Sequence, residues 1–451
     1  MPPRFLYRWF PRAARASRWL EQRFTSGGRL LLGVLVTGAI LGIDISQTLA
    51  YQLATLAFAL LVTSFALSAR WRPRLAVRRV LPQVVTAQLA SHYWLEITNL
   101  GTRVESELWV QDTLLDPPLS WPRFQALRDS DAQAASNWFD RAVGFPRWVA
   151  LRRRLRGAEL ASVAVPTLAP GATVRVKIAI TALRRGWLQY TQLRLLRPDP
   201  LGLCRARARF KLSDRLLALP HRHPLPRIHL HSERRYQPGG VSLALAVGDS
   251  QEFAALRDYQ PGDARRHIHW RSFAKTGQLI VKQYQDEYFD RHALVVDTHL
   301  ADAAARFEAV IEIAASIVSG PRPRDSILDL VIAGTDILEL SAGRGLGDGM
   351  RALTYLAEAS AVEGEDFAAV AALMRARIGR LASVILVFGH YDDARRALVD
   401  ELARHDIATL CLQVVADDLP ALAPRSLGAG YHYRLHVDRL AADLARLSLG
   451  P

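Results

Sequence analysis

Two histidines close to an aspartate are the clearest candidates for chemistry in this sequence. His267 and His269 alternate along a stretch that is predicted to be a strand, and Asp263 precedes them. Imidazole nitrogens at this spacing can ligate a transition metal, and a histidine beside a carboxylate suits acid–base catalysis. A third metal ligand is not evident. The pattern gives one hypothesis, a metal-dependent or acid–base hydrolase centred on residues 253–270.

The same residues support two structural interpretations. Charged side chains can pair into a network that braces a joint between domains. Alternatively, the arginines form a docking surface for acidic groups of a partner protein. The charged residues concerned are Arg257, Asp258, Asp263, Arg265 and Arg266. The residues alone leave all three interpretations open.

Local patterns predict a helix, a turn and a hairpin in this part of the chain. Residues 249–252 have the ends of a capping box, which predicts a short helix. Residues 260–263 read Gln-Pro-Gly-Asp, the signature of a type II turn. Residues 265–284 predict a hairpin in which Ile268 and Trp270 share one side and the histidines share the other.

This stretch closely resembles the signature of the bacterial family called domain of unknown function 58. Phe273 departs from the family pattern, which more often has a small residue there. The stretches "RRGWLQY" (184–190) and "DPLGL" (199–203) fit the same family. Ala274, Leu279 and Val281 also match. The other matching positions, with the adjacent His269, give the candidate interaction residues: Phe253, Arg257, Tyr259, Pro261, Gly262, Asp263, Arg266, Ile268, His269, Trp270 and Lys282.

The resemblance implies a membrane-anchored protein whose C-terminal part is similar to a von Willebrand factor A domain. Members are commonly encoded beside MoxR-type AAA ATPases and transglutaminase-like membrane proteins. The expected role is therefore that of a non-enzymatic adaptor, or an assembly or maturation factor, without a cofactor. The expected partners are a MoxR-type ATPase and a transglutaminase-like membrane protein, while the oligomeric state is not indicated.

The metal site of von Willebrand A domains is degenerate in this sequence. Such domains bind a divalent cation with an Asp-x-Ser-x-Ser loop, a threonine and a further aspartate, because hard cations prefer oxygen ligands. Here residues 297–301 read Asp-Thr-His-Leu-Ala, residues 343–349 contain no threonine, and residues 387–390 contain no carboxylate. Asp297 alone remains, so we expect no metal here and predict that Asp297 caps the turn after its strand.

Two apolar runs near the start predict a transmembrane helical hairpin within residues 30–68. Seven arginines precede the runs, five follow them by residue 79, and the loop between them carries only Asp44. Because arginine-rich flanks are cytoplasmic, we expect two passes through the bacterial inner membrane, with both termini and the bulk of the chain in the cytoplasm. A signal peptide is the alternative for the first run.

Composition limits the other classes of function. The net charge of +15 comes almost entirely from arginine, since only four lysines are present. Much of this excess flanks the apolar runs, where it is explained by topology and by anionic lipid; it does not favour nucleic-acid binding. The two distant cysteines match no metal site. The loop "GRGLGDG" (343–349) lacks the Gly-Lys-Ser/Thr ending of a phosphate loop.

The chain of 451 residues is long enough for several domains. The predicted fold class is multi-domain: the transmembrane hairpin, an all-β immunoglobulin-like sandwich, and a doubly wound α/β domain similar to von Willebrand factor A. The sandwich is expected from its alternating strands, and the α/β domain from strands alternating with helices. The predicted segments are a basic N-terminus at 1–29, the hairpin at 30–68, the sandwich at 80–220 with an insertion at 113–158, the signature segment at 221–290 and the α/β domain at 291–451.

Overall fold

The chain forms two compact units, Met1–His221 and Arg222–Pro451. The computed structural model describes residues 4–41, 48–126, 143–226, 252–263, 265–285, 290–300, 304–321, 326–333, 337–342, 346–362, 367–416, 425–427 and 430–447. Asp249 of the predicted capping box and the first residues of the 343–349 loop lie outside these ranges.

Three helices open the first unit: α1 (Arg4–Arg23), α2 (Ser26–Leu41) and α3 (Thr48–Ala69). Among the described residues, only Tyr51–Ala69 is long and apolar enough to cross a membrane. The 16 residues of α2 rise about 24 Å at about 1.5 Å each, short of a hydrocarbon core of about 30 Å. The predicted transmembrane helical hairpin is therefore wrong.

Ten strands follow in the first unit and form two curled sheets. One sheet has the order β1-β3-β7-β5, and the other has the order β2-β10-β8-β4-β6 with β9 beside β8. Their bounds are β1 Leu75–Val80, β2 Val84–Thr86, β3 Ala90–Asn99, β4 Leu108–Leu114, β5 Ala158–Leu160, β6 Val163–Val165, β7 Thr173–Ala182, β8 Gly186–Pro198, β9 Arg205–Lys211 and β10 Arg215–Leu219.

The apolar residues of both sheets bury into one core, because strand side chains alternate between core and solvent. Ile97 and Ile178 from the first sheet and Leu108 and Leu195 from the second belong to it, each at most 1% exposed. Inside this core, Asp112 accepts hydrogen bonds from Arg79 (Nε–Oδ2, 2.9 Å; Nη2–Oδ1, 2.8 Å) and from the Tyr93 hydroxyl (2.7 Å). This polar cluster joins β1, β3 and β4 across the two sheets.

The described part of the insertion at residues 113–158 includes the helices α4 (Trp121–Ala126) and α5 (Phe145–Arg156). They pack with α1 around a small apolar cluster, and Asp116 pairs with Arg18 of α1 and with Arg152 of α5. The cluster contains Tyr7, Phe10, Leu119, Phe124, Trp148 and Leu151. The basic N-terminus is thus held on the first unit by the insertion.

The connection from α3 to β1 is short and tied down. Residues 70–74 form it, and the Trp71 indole donates a hydrogen bond to Glu105 (3.0 Å) while the Arg74 carbonyl accepts one from the Leu100 amide (2.8 Å). On the other side, Phe24, between α1 and α2, forms a β-bridge with Cys204. The apolar helices are therefore attached to the sheets at two places.

The second unit contains a two-stranded sheet, β11 (Glu252–Asp258) with β12 (Ile280–Gln285), and a seven-stranded sheet. The strands of the latter are β13 Asp290–Asp297, β14 Ser326–Ala333, β15 Ile337–Ala342, β16 Ser383–Phe388, β17 Ala408–Val415, β18 Arg425–Leu427 and β19 Gly430–His436. The helices are α6 Trp270–Thr276, α7 Ala304–Ser319, α8 Leu346–Glu358, α9 Ala368–Arg377, α10 Asp393–Arg404 and α11 Leu440–Ala445, with short 3₁₀ turns at Arg265–His267, Ile378–Arg380 and Val437–Arg439.

The seven-stranded sheet has the order β15-β14-β13-β16-β17-β19-β18, parallel except for its two edge strands. The chain runs from β13 to β14 on one side and later returns to place β16 on the other side of β13. This creates a switch point at the carboxyl ends of β13 and β16, the position where open α/β sheets bind ligands. The fold class predicted from the sequence included a transmembrane hairpin at the start of the chain. Since that hairpin is not supported, the predicted fold class is wrong as a whole.

Candidate functional site

The signature segment is built on the hairpin of β11 and β12. Leu256 lies opposite Lys282 and Asp258 opposite Ile280 in an antiparallel register, and Phe253 lies in β11 opposite Tyr284. The helix predicted for this stretch is therefore replaced by a strand. Pairing with β12 satisfies the backbone groups of β11 that face its partner strand, whereas a helix this short has little stability of its own.

A tight turn follows β11. Gly262 has φ +112°, a backbone conformation that favours glycine at the third position of a type II turn. The Asp263 amide donates to the Gln260 carbonyl (3.0 Å), and the Gln260 amide donates to the Asp263 carboxylate (2.9 Å). Pro261, the second residue of the turn, is exposed. The turn therefore fixes the carboxylate of Asp263 beside β11.

Both terminal nitrogens of Arg257 donate hydrogen bonds to that carboxylate, at 2.7 Å and 2.6 Å. The hydrogen bonds from the Arg257 guanidinium hold the pKa of Asp263 below its usual value. Within the described residues, Asp258, Arg265 and Arg266 form no ion pair. The predicted five-residue network thus reduces to one bidentate pair that ties the turn to the strand.

The two histidines do not form a joint site. His267 ends a 3₁₀ turn, and its Nε2 accepts a hydrogen bond from Arg266 (3.2 Å); His269 precedes α6, and its Nδ1 lies 2.6 Å from the Ser272 hydroxyl. The predicted strand that would align them is wrong, because residues 265–267 and 270–276 are helical. No group of three metal-ligating side chains occurs in the part of the chain that the structure describes.

The helix α6 presents two aromatic side chains to solvent. Trp270 is 60% exposed and Phe273 is 38% exposed, and their ring centroids lie 6.1 Å apart in an edge-to-face arrangement. Leu256 and Leu279 are exposed nearby in sequence, at 43% and 39%. We call Trp270 and Phe273, whose rings lie against each other, the apolar group. An exposed group of this kind marks an interaction surface more often than a folding requirement.

The start of α6 is held in place by contacts of the preceding residues with β12. Ile268 and Val281 form a β-bridge and are buried, the His269 amide donates to the Ile280 carbonyl (2.8 Å), and the Tyr259 amide donates to the Leu279 carbonyl (2.9 Å). Ile268 and Trp270 therefore face opposite ways, contrary to the predicted strand. The signature residues divide into those that build the frame and those that the frame exposes.

A second candidate site lies at the switch point of the seven-stranded sheet. Asp297 ends β13 with its side chain completely buried, and its carboxylate accepts hydrogen bonds from Arg395 Nε (2.8 Å) and from the His299 amide (3.1 Å). The pair to Arg395 joins β13 to α10. Asp392 caps α10 by accepting from the Arg395 amide (2.9 Å), and it also pairs with the Arg395 guanidinium.

Arg395 occupies the place of a cation in this site. Burial alone would raise the pKa of Asp297, but the hydrogen bonds from His299 and Arg395 outweigh burial and lower the pKa. The guanidinium lies 4.7 Å from the centre of the Phe367 ring, and its own side chain is 2% exposed. Carboxylate and cation are thus already paired within the protein, and the geometry offers a metal ion no free carboxylate at Asp297.

The sequence contains a signal for Arg395 that reasoning from motifs missed. A positive charge in the first turn of a helix is unfavourable next to the helix dipole. Arg395 in that turn of α10 is therefore expected to pair with carboxylates, of which Asp392 is close in sequence and the buried one is not. The partner, Asp297, lies 98 residues away in sequence, so the pattern alone could not identify it.

Comparison with known proteins bears on this part of the chain. Residues 255–427 match the family described as Protein of unknown function DUF58. The DUF58 match starts within β11 and ends with β18, so it takes in the signature hairpin, α6 and both Asp297 and Arg395. It extends over less than half of the chain and assigns no activity.

A curated relative and several solved structures are similar to parts of this chain. The uncharacterized protein YeaD of Bacillus subtilis is 31% identical over 136 residues, which are 30% of this chain and 33% of YeaD. This chain thus spans a third of the length of that relative. The CARDB domain of PF1109 from Pyrococcus furiosus (12% identity, TM-score 0.15) covers 31% of this chain and 94% of its own. A FixG-related protein from Vibrio parahaemolyticus (9% identity, TM-score 0.17) covers 33% of this chain and 98% of its own. At these scores neither structure supports a conclusion about function.

Proposed function

We propose that this chain is a non-enzymatic adaptor that binds a MoxR-type AAA ATPase through the apolar group of the signature segment. The observation that supports it is the exposed Trp270–Phe273 pair on a helix whose backbone is held by its neighbours. Aromatic side chains fixed in advance are typical anchors of protein interfaces, because they bury a large area at little cost in entropy.

The arrangement around the apolar group supports binding more than hydrolysis. His267 and His269 bond to separate neighbours, and Asp263 is occupied by Arg257. A hydrolase would need a base and a nucleophile or metal within reach of one substrate atom. The ATPase as partner, and assembly or maturation of other complexes as the role, rest on the resemblance of the signature. A transglutaminase-like membrane protein is the proposed further component.

The double substitution Trp270→Ala/Phe273→Ala tests this function. We expect it to weaken binding of a purified MoxR-type ATPase from the same organism at least about 30-fold, because loss of an interface anchor costs about 2 kcal/mol or more. Binding is measured by biolayer interferometry with the full-length protein in detergent, with and without ATP.

Trp109→Ala is the matched control, since Trp109 lies on the sandwich and is 47% exposed. We expect it to leave the affinity unchanged. Equal affinity of the ATPase for the wild type and the Trp270→Ala/Phe273→Ala variant would contradict the proposed surface. Absence of any binding by folded wild type would contradict the adaptor role itself.

We further propose that α3 attaches the chain to the bacterial inner membrane, with the bulk of the chain in the cytoplasm. The exposed side chains of α3 are large and apolar, including Leu56 at 56%, Phe58 at 57% and Val62 at 49%. Such a surface is costly in water and favourable in lipid. The arginines that follow α3, at residues 70–79, favour the cytoplasmic side for what comes next.

Leu56→Asp/Phe58→Asp tests the attachment. Each carboxylate in the middle of an apolar helix costs about 2.5–3.5 kcal/mol in the membrane, so we expect the variant to leave the membrane pellet on carbonate extraction while the wild type stays. Leu100→Asp/Leu115→Asp, at exposed leucines of the sandwich unit, should remain in the pellet. Release of the wild type by carbonate would show that α3 does not anchor the chain.

A further inference from the structure

A row of basic side chains lies on the outer face of the sandwich next to α3. Every second residue of β9 is basic: Arg205, Arg207, Arg209 and Lys211. The residues between them face the core, as Ala206 is 2% exposed and Ala208 and Phe210 pack against the core. The basic residues therefore share the opposite face.

Neighbouring elements add two more arginines to this row. Arg194 of β8 lies directly opposite Arg209 in the antiparallel register. Arg23, the last residue of α1, acts on Arg207 through its charge. We call Arg23, Arg194, Arg207 and Arg209 the arginine cluster. Its residues come from three elements, α1, β8 and β9, and lie up to 186 positions apart in sequence.

The charges of the arginine cluster are not neutralised by the protein. Within the described residues none of its four members forms an ion pair; Arg194 Nη1 donates instead to the neutral side chain of Gln22 (2.7 Å). The Asp116 carboxylate does not neutralise the cluster, because it pairs with Arg18 and Arg152. The Nε atoms of Arg23 and Arg194 are buried without a hydrogen-bond partner among the described residues. Such groups are costly unless an acceptor meets them.

Burial and the neighbouring positive charges both disfavour the charged forms of two members of the cluster. Burial, followed by the charges of Arg23, Arg209 and Arg194, lowers the pKa of Arg207 to about 10. Burial, followed by the charges of Arg209 and Arg18, lowers the pKa of Arg194. An anion placed among these side chains would relieve the repulsion.

The apolar helix provides the second part of a lipid site. The Arg23 guanidinium lies 4.9 Å from the ring centre of Phe65, which is one turn before the end of α3. Phe24, Leu61 and Cys204 form a small buried cluster that fixes α3 against the start of β9. The arginine cluster thus lies at the end of an exposed apolar surface formed by residues such as Phe58 and Val62.

We propose that the arginine cluster binds the phosphate group of an anionic phospholipid, with the acyl chains along α3. A guanidinium group can donate two hydrogen bonds to one phosphate group. Four guanidinium groups close together therefore suit phosphate binding better than basic side chains spread over a surface. The site would hold one headgroup at the carboxyl end of the apolar helix. This inference rests on the proposed membrane attachment through α3.

The test measures the melting temperature of the full-length protein in neutral detergent with and without lipid. Unfolding during heating is monitored by tryptophan fluorescence. Phosphatidylglycerol should raise the melting temperature of the wild type, since a ligand of the folded state stabilises it, whereas phosphatidylcholine should not. We expect Arg207→Glu/Arg209→Glu to bind phosphatidylglycerol at least about 10-fold more weakly. Arg103→Glu/Lys177→Glu, with the same change in charge at exposed positions of the unit, should respond like the wild type.

The outcomes test the phospholipid site and the attachment through α3 separately. Equal responses of the two charge-reversed variants would overturn the site, and so would equal stabilisation by glycerol 3-phosphate, because the source would then be a soluble phosphate. If Arg207→Glu/Arg209→Glu melts early without lipid, Arg207→Gln/Arg209→Gln replaces it and the same loss of response is expected. Flotation with uncharged phosphatidylcholine vesicles tests the attachment through α3 separately, since this lipid has no net charge to attract the arginines.

Discussion

Arg395→Ala is expected to destabilise the second unit by about 3–5 kcal/mol, because removing one partner of a buried ion pair leaves the other charge unpaired. The charge left behind is Asp297, whose side chain is completely buried. The His299 amide still donates to this carboxylate, but it does not neutralise the charge. Hydrogen exchange measured by mass spectrometry should show the loss in the peptides that contain β13 and β16.

Arg396→Ala is a closely matched control for this prediction. Arg396 is the next residue of α10 and pairs with Asp393 at 3.0 Å, but its side chain is 55% exposed and that of Asp393 is 96% exposed. An exposed pair contributes less than about 1 kcal/mol, so exchange in β13 and β16 should stay close to the wild type. Similar protection in the two variants would show that Asp297 does not depend on Arg395.

The same ion pair predicts how stability depends on pH. The pKa of Asp297 is lower in the folded protein than its usual value, so the pair stabilises the fold above an unfolded pKa of about 4, and this stability is lost as the pH falls through the lower folded pKa. Without Arg395, burial of Asp297 would dominate and raise its pKa. A carboxyl with a raised folded pKa costs stability as the pH rises through that pKa, so we expect the protection of β13 in Arg395→Ala to improve as the pH is lowered towards about 4, whereas that of the wild type does not.

Asp112→Ala is expected to destabilise the first unit by a similar amount, about 3–5 kcal/mol. Asp112 accepts two hydrogen bonds from Arg79 and one from Tyr93, and the Arg79 and Asp112 side chains are completely buried. Its loss leaves the Arg79 charge in the core with only the partly exposed Asp214 as a carboxylate partner. Denaturation in urea, followed by tryptophan fluorescence, reports this unit because nine of the ten tryptophans precede residue 222.

Arg175→Ala is the control within the same sandwich. Arg175 also makes two hydrogen bonds to a carboxylate, that of Glu96 (2.9 Å and 2.7 Å), but its side chain is 72% exposed. We expect a change in the free energy of unfolding below about 1 kcal/mol. If Asp112→Ala unfolds at the same urea concentration as Arg175→Ala, the buried cluster contributes no more than a surface pair.

Periodic patterns predicted strands and helices where one face of an element is buried. Among the alternating strands expected of the sandwich is β7 (Thr173–Ala182), and among the helices expected of the α/β domain is α7 (Ala304–Ser319). The transmembrane hairpin depended on the first apolar run, residues 30–43, which reaches the about 20 residues needed to span a bilayer only if its flanks are included. Residues 42–47, between the two apolar helices, lie outside the described part of the chain.

The signature segment shows why short patterns are less reliable. His267 to Arg271 alternate in polarity over only five residues, and a helix can place the same residues equally well. Gly277, with φ +68°, ends α6 as a C-cap, and this local signal outweighs the alternation. The Pro-Gly turn was readable because Gly262 needs a positive φ, whereas the partner of Asp297 was not, since contacts across 98 residues leave no local trace.

The short, tied connection between α3 and β1 has a mechanical consequence. Trp71 and Arg74 are bonded to the sandwich within a connection of residues 70–74, and Phe24 holds the other side through Cys204. Under the proposed attachment through α3, this connection makes the helix and the sandwich move together, so that tilting of the helix in a bilayer would tilt the sandwich as well. Bilayer thickness, which sets helix tilt, would thereby set the angle at which the sandwich stands above the membrane.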